Sequence, residues 1–263
     1  MSQNISFGKE KIKVGLKAFV PLLPYCFDST VKMTKKETIT ALSFNNYVFL
    51  FIVSSLLGFA VETLWCLIKH GHIESRKSLV LGHMSIAYGM GAVLLTLILI
   101  RFQNASWPKI FLISFITGTV TEYICSLGQE IIFGSVAWDY SHLPLNINGR
   151  VCLIYSLFWG VLGVAWTKLI IPLMGSVFTK VHIPYENIFV GIFLVYFVFN
   201  CTLSAGAALR MNARDAGKAP SNSVEEFFDT HYPDEKMHKI YANSRNIEDI
   251  DARNPGKQQN KSH

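Results

Sequence analysis

Five apolar stretches separated by short polar intervals dominate this chain, running approximately from Tyr47 to Leu67, Met84 to Ile100, Lys109 to Phe133, Val151 to Met174 and Asn187 to Leu209. Each is rich in Leu, Ile, Val and Phe without alternation at period two, and crossing about 30 Å of hydrocarbon takes roughly 20 helical residues. The pattern therefore predicts an all-α, polytopic integral membrane protein of about five transmembrane helices and argues against an outer-membrane barrel. The second stretch is short and Pro172 interrupts the fourth, so a tilted or re-entrant segment is expected at either place. Five crossings put the termini on opposite sides.

Composition agrees with the pattern: 51% of the 263 residues are hydrophobic and only 16% charged, with a mean hydropathy of +0.32. The lead contains no compact apolar core followed by a small-residue cleavage site, so the first crossing is expected to serve as the insertion signal. Lysines at 9, 11, 13, 17, 32, 35 and 36 precede that crossing, which by the positive-inside rule favours a cytoplasmic N-terminus, although Arg210, Arg214 and Lys218 pull the other way.

Three regions follow: a basic N-terminal segment 1–44, a membrane domain 45–209 and a polar C-terminal tail 210–263. The lead suits either an anionic membrane surface or a solvated segment with no such role. The tail mixes acids and bases and carries few large apolar residues beyond Phe227, Phe228, Tyr232, Ile240 and Tyr241. It reads as an exposed appendage, partly helical or disordered. The net charge of +6 lies in tails and loops, where it sets topology and meets anionic lipid, so no nucleic-acid partner is expected. Cys26, Cys66, Cys125, Cys152 and Cys201 have no paired spacing, and neither a metal nor a cofactor is expected.

Within the membrane domain one pattern is written twice. Gly58-Phe-Ala-Val-Glu62 recurs as Gly118-Thr-Val-Thr-Glu122, and Gly82-His83-Met-Ser-Ile-Ala-Tyr88 recurs as Gly149-Arg150-Val-Cys-Leu-Ile-Tyr155. This defines two parallel hairpin repeats, about 51–100 and 111–172, with a fifth helix 187–209 beside them. The interval from Glu62 to Gly82 is 20 residues and that from Glu122 to Gly149 is 27. The second copy thus carries an insert, which falls between Gln129 and Asn148.

A charge in hydrocarbon costs about 3 kcal/mol or more, so two carboxylates in equivalent places point to a built feature. Each glycine lies one turn before its glutamate, about 40° away around the helix, and lets a neighbouring helix approach the carboxylate. Arg150 offers Glu122 a charged partner; His83 pairs with Glu62 only when protonated. The insert region Trp138-Asp139-Tyr140-Ser141, with Pro144, Asn146, Asn148 and Gly149, combines interfacial aromatics with turn formers. In the plain reading Trp138 and Tyr140 anchor this lip while Asp139 caps a helix or pairs with Arg150; in the sharper one the lip covers a polar site. The candidate substrate-binding residues are Glu62, Tyr88, Glu122, Trp138, Asp139, Asn146, Arg150 and Tyr155.

Three functions fit these residues: acids and bases that clip each hairpin together, a polar site for a cation, a proton or a small polar solute, and a membrane enzyme. The enzyme is the least supported. The chain has no His-Glu-x-x-His, no Gly-x-Ser-x-Gly and no phosphate loop, so no catalytic residue is assigned; Glu130, Asp139, His142 and Arg150 in one loop are weak grounds for catalysis.

Gly58 with Glu62, Tyr88-Gly89-x-Gly91, Glu122, Trp138-Asp139-Tyr140-Ser141-x-x-Pro144-x-Asn146-x-x-Gly149-Arg150 and Ser156-x-x-Trp159-Gly160 together resemble the bacterial ABC-transporter type IV membrane proteins, the CmpB-like permeases. The resemblance spans roughly Phe51 to Trp166, and His83 and Ile86 stand where that family has prolines. It implies a membrane permease subunit that moves a small solute or ion with an ATPase, if any, on a separate chain. Five helices are few for a translocation path, so a homo-oligomer or another membrane subunit is implied as well. The alternative is a structural or assembly subunit without transport activity.

Overall fold

The computed structural model describes residues 32–33, 39–180, 184–242 and 245–246. The lysine-rich lead through residue 31 and the end of the tail from residue 247 lie outside the described residues. Two short strands, β1 (Lys32–Met33) and β2 (Ile39–Ala41), pair antiparallel ahead of the first helix.

Helix α1 (Phe44–His70) outruns its apolar stretch at both ends because its caps lie outside it. Ser43 Oγ accepts from Asn46 N at 3.2 Å and Asn46 Oδ1 accepts from Ser43 N at 3.0 Å, a reciprocal cap with Asn in the usual Glu/Gln place. Gly71, left-handed at φ 76°, closes the other end by donating to Leu67 O at 2.9 Å. Helix α3 (Trp107–Phe133) has Pro108 in its first turn, where a missing N–H costs nothing, and Gly134 as its left-handed cap.

The second crossing, α2 (Ile86–Leu99), has 14 residues and a length of about 21 Å. Ser85 N donates to Ser55 O at 3.0 Å, so the chain leaving α1 at Gly71 turns back along it by about 22 Å before α2 begins. The fourth crossing is α4 (Leu153–Ala165), a π-helical turn Trp166–Ile170 and α5 (Ile171–Lys180). Pro172 clashes with the carbonyl one turn before it in a regular helix. The widened turn directly ahead, closed by Ile171 N donating to Trp166 O, removes that conflict without breaking the rod. Helix α6 (Glu186–Asp215) is the last crossing.

Among the described residues four helices are long and apolar enough to span a bilayer: Phe44–His70, Trp107–Ile132, Leu153–Phe178 and Glu186–Asp215. The second expected crossing is the 14-residue α2, which is not among these four. Val53, Leu57, Val61, Leu64, Trp65 and Ile68 of α1 and Ile192, Val195, Val198 and Phe199 of α6 are more than half exposed, as lipid-facing surfaces should be. The chain is a multi-pass membrane protein. Six hydroxyls in the apolar helices are satisfied locally: Thr63, Thr96, Ser114, Thr119, Thr121 and Thr167 each donate to the carbonyl four residues back at 2.6–2.8 Å. At the N-terminal end Ile39, Leu42, Tyr47 and Leu50 pack with Leu95, Leu99, Ile110, Ile171 and Met174.

The described part of the C-terminal segment is helical and largely exposed, and it is docked rather than loose. Helices α7 (Ser223–His231) and α8 (Asp234–Ile240) fold back onto α6. Arg210, 4% exposed, donates to both oxygens of Asp229 at 2.8 Å and to Lys218 O at 3.0 Å, while Arg214 reaches Asp229 at 2.6 Å and Asp234 at 2.7 Å. Tyr232 and Met237 join Val80, Ala207, Ala208 and Met211 in a small core. Arg210 and Arg214 neutralise Asp229 and Asp234, and Phe228, Tyr232, Ile240 and Tyr241 pack toward α6 while Phe227 stays exposed. Strand β6 (Arg245–Asn246) then pairs with β3 (Ser135–Val136).

Arg210 beside Asp229 holds that carboxyl below the usual Asp range. Because its folded-state value is the lower one, the stabilisation is complete above the unfolded value of about 4 and disappears as pH falls through the depressed value. Amide hydrogen exchange across residues 223–240 is expected to stay slow at neutral pH and to accelerate below about pH 4 while the spans remain protected. Unchanged exchange in acid would contradict this docking.

Candidate functional site

Glu122, on α3, is held by two neutral donors. Tyr140 Oη donates to Oε1 at 3.0 Å and Trp159 Nε1 donates to Oε2 at 3.1 Å. Trp159 reaches the carboxylate because its ring lies on Gly118, where a Cβ would come within 2.2 Å of the indole Cγ. The first copy repeats the device with a different ring: a Cβ on Gly58 would lie 2.2 Å from Cγ of Tyr88, and the Tyr88 hydroxyl donates to Glu62. Tyr88 also lies within electrostatic reach of Glu122 and Tyr155. Tyr140 stacks on Tyr155 at 4.5 Å and 22°. Burial and the neighbouring Glu122 push the Tyr140 hydroxyl well up from its ordinary value, so it stays a neutral donor at any physiological pH.

The basic residues are engaged elsewhere. Arg150 pairs with Glu130, not with Glu122 as expected from the sequence; it also donates to Ser126 Oγ at 3.5 Å and covers the Tyr123 ring at 5.6 Å. The geometric reason is that α4 starts at Leu153, below the end of α3, so Arg150 is level with the last turns of α3, beyond the carboxylate. His83 sits edge-on to Phe59 at 5.0 Å, and Arg76, bound to Glu74 at 3.4 Å, is the cation within electrostatic reach of Glu62. Neither glutamate is ion-paired to a described basic side chain.

The lip over Glu122 is a self-closed loop. Asp139 Oδ1 accepts from Ser141 N and Oγ at 2.9 and 2.6 Å, Trp138 Nε1 donates to Arg150 O at 2.9 Å, Tyr140 N donates to Gly149 O at 2.8 Å, and Asn146 bonds Leu143 O and Gly149 N at 2.7 and 3.0 Å. Its far end is a hairpin of β4 (Asn146–Ile147) and β5 (Val151–Cys152), turned by Asn148 and Gly149 at φ 55° and 70°. Asn-Gly is the dipeptide a type I′ turn favours. Asp139 and Asn146 therefore shape the loop, and what the loop delivers to the carboxylate is Tyr140. Of the candidate residues, Tyr88 meets Glu62, and Tyr155 stacks on the Tyr140 that bonds Glu122, whereas Trp138, Asp139, Asn146 and Arg150 lie in or beside the loop without an observed bond to either glutamate. Tyr140 and Trp159 are donors that the residue patterns alone did not assign; the small Gly118 opposite a Trp on the facing helix was the available signal.

Gly149→Ala is expected to open this loop. The new methyl meets Ser141 Oγ at 2.4 Å and Asp139 Oδ1 at 2.5 Å, and a left-handed non-glycine residue adds about 1–2 kcal/mol of strain. Faster hydrogen exchange across 137–150 with the spans unchanged is the expected readout; an unaltered loop would refute it.

A family model described as "Putative ABC-transporter type IV" matches residues 49–205, more than half of the chain. The protein belongs to this family. The matched span contains every residue of the site, from Glu62 to Trp159, and stops before the α7–α8 module. No curated protein and no solved structure matches the chain.

Proposed function

We propose that this family member is the membrane-embedded permease subunit of a transporter in the cell membrane, and that Glu62 and Glu122 bind a small cation, the proton included. One observation carries the reading: two intramembrane carboxylates in equivalent hairpin positions are hydrogen-bonded by neutral aromatic donors, and neither forms an ion pair with a described basic side chain, Arg76 lying near Glu62 without bonding it. A carboxylate clamped by arginine spends its charge internally; one held by O–H and N–H groups keeps charge for a ligand. Energy input comes from an ATPase on another chain, and a translocation path is completed by a second copy or another membrane subunit.

The test is site-resolved carbodiimide labelling in native membranes, read by peptide mass spectrometry. Sodium, potassium or a small alkylammonium ion is expected to slow modification of Glu62 and Glu122 together. Labelling insensitive to every cation, in a protein that purifies gently as a monomer without an ATPase, would overturn the proposal. The close seating of Tyr88 and Trp159 on glycines favours a second reading, a purely structural subunit, in which neutralising the acids lowers abundance before anything else.

A further inference from the structure

The two copies hold their loops in different ways, and the difference assigns work to α6. In the second copy the insert latches itself through Asp139, Asn146 and Gly149, and its Ser135–Val136 strand pairs with β6. The shorter first loop is gripped by side chains of α6. Asn200, with no exposed surface, accepts from Leu81 N at 3.2 Å and donates to Leu81 O at 2.7 Å; Ser204, one turn on, accepts from Val80 N at 2.9 Å. A primary amide has one acceptor and one donor edge, so a single Asn can pair with both backbone groups of one residue as a strand would.

We infer that Asn200 is a positioning residue for the first half of the site, holding the loop that sets Tyr88 on Glu62; the inference rests on the proposed role of those two residues. The chain of contacts is continuous. Beyond the gripped Val80–Leu81 segment, Ser78 N donates to Met84 O at 2.9 Å, Ile86 N donates to Ser78 Oγ at 3.0 Å, and Ser85 N donates to Ser55 O at 3.0 Å. These bonds fix where α2 begins, and Tyr88 lies in its first turn, seated on Gly58. Tyr196 Oη, bonded to Asn200 Nδ2 at 3.2 Å, extends the same face of α6 one turn toward Gly82. Ordinary helix–helix glue joins side chain to side chain between rods. Here a helix reads the backbone of a loop.

The experiment compares carbodiimide labelling of Glu62 and Glu122 without added cation in wild type, Asn200→Ala, Tyr88→Phe and the double variant. Loss of one hydrogen bond to Glu62 is expected to raise its labelling about fivefold, the Glu122 rate staying within about twofold. Tyr88→Phe should give the same rise, and the double variant no more than either single change, because Asn200 acts through Tyr88. Equal changes at both glutamates, no change at Glu62, or additive effects would each overturn the inference. Should Asn200→Ala fail to accumulate, Ser204→Ala, which removes the Val80 contact and keeps Asn200, decides: a smaller rise confined to Glu62 supports the inference and none refutes it. Cation protection of wild type tests the binding reading separately, so either can fail alone.

Discussion

Glu62→Gln combined with Glu122→Gln is expected to abolish cation protection and any cation flux while the protein still inserts in the membrane. The two changes are not equivalent. Glu62 receives one assigned donor, Tyr88, and a glutamine carbonyl can accept that bond, so Glu62→Gln should reach near-normal abundance. Glu122 receives Tyr140 on one oxygen and Trp159 on the other, and a glutamine amide must turn an N–H₂ group toward one of these donors. An unsatisfied polar contact of this kind costs about 1–3 kcal/mol. Glu122→Gln is therefore expected to show a lower melting temperature than Glu62→Gln, with both losing protection at the remaining acid. If protection and flux survive in both single variants, the carboxylates are not the binding site.

Gly118→Val is expected to disrupt the packing of α3 against α4 and to release Glu122 from one of its two donors. A Cβ there meets Cγ, Cβ and Cδ2 of Trp159 at 2.2–2.4 Å. These atoms form the root of the side chain and cannot swing aside. Helices α3 and α4 must separate, at an overpacking cost of about 1–3 kcal/mol or more, and Trp159 leaves Glu122. Gly128, on the same helix, has nothing within 4 Å of its would-be Cβ, so Gly128→Ala should be neutral or stabilising by up to about 1 kcal/mol. Thermal unfolding in lipid nanodiscs separates the pair; equal melting temperatures would mean the glycine seat is not as described.

Much of this was legible in the sequence because the bilayer leaves few choices. Runs such as Lys109–Phe133 exceed the hydrocarbon thickness and must be helical, and the Gly-to-Glu repeat marks where helices touch. The partners of the charges were less legible. Arg150 was expected to reach Glu122, but pairing depends on how far down α3 the next helix begins, which a hairpin sketch does not contain. The docking of the C-terminal segment was illegible for a related reason: its acids and bases look like a solvated mixture until Arg210 and Arg214 on α6 align with Asp229 and Asp234. Tyr140 read as an interfacial anchor because aromatic residues beside spans usually are; only the closed loop around Gly149 turns it inward.

The π-helical turn at Trp166–Ile170 makes the fourth crossing a crankshaft. One added residue per turn rotates everything after it by about 100° relative to a regular helix. The leading half sets Gly160 and Gly163 against Phe111 and Ser114 of α3, and the trailing half buries Ile171 and Met174 with Ile39, Leu42 and Leu95. A single rod thus answers to two neighbours in two angular frames, and changes that retune the carboxylate end can accumulate without re-aiming the packing at the other.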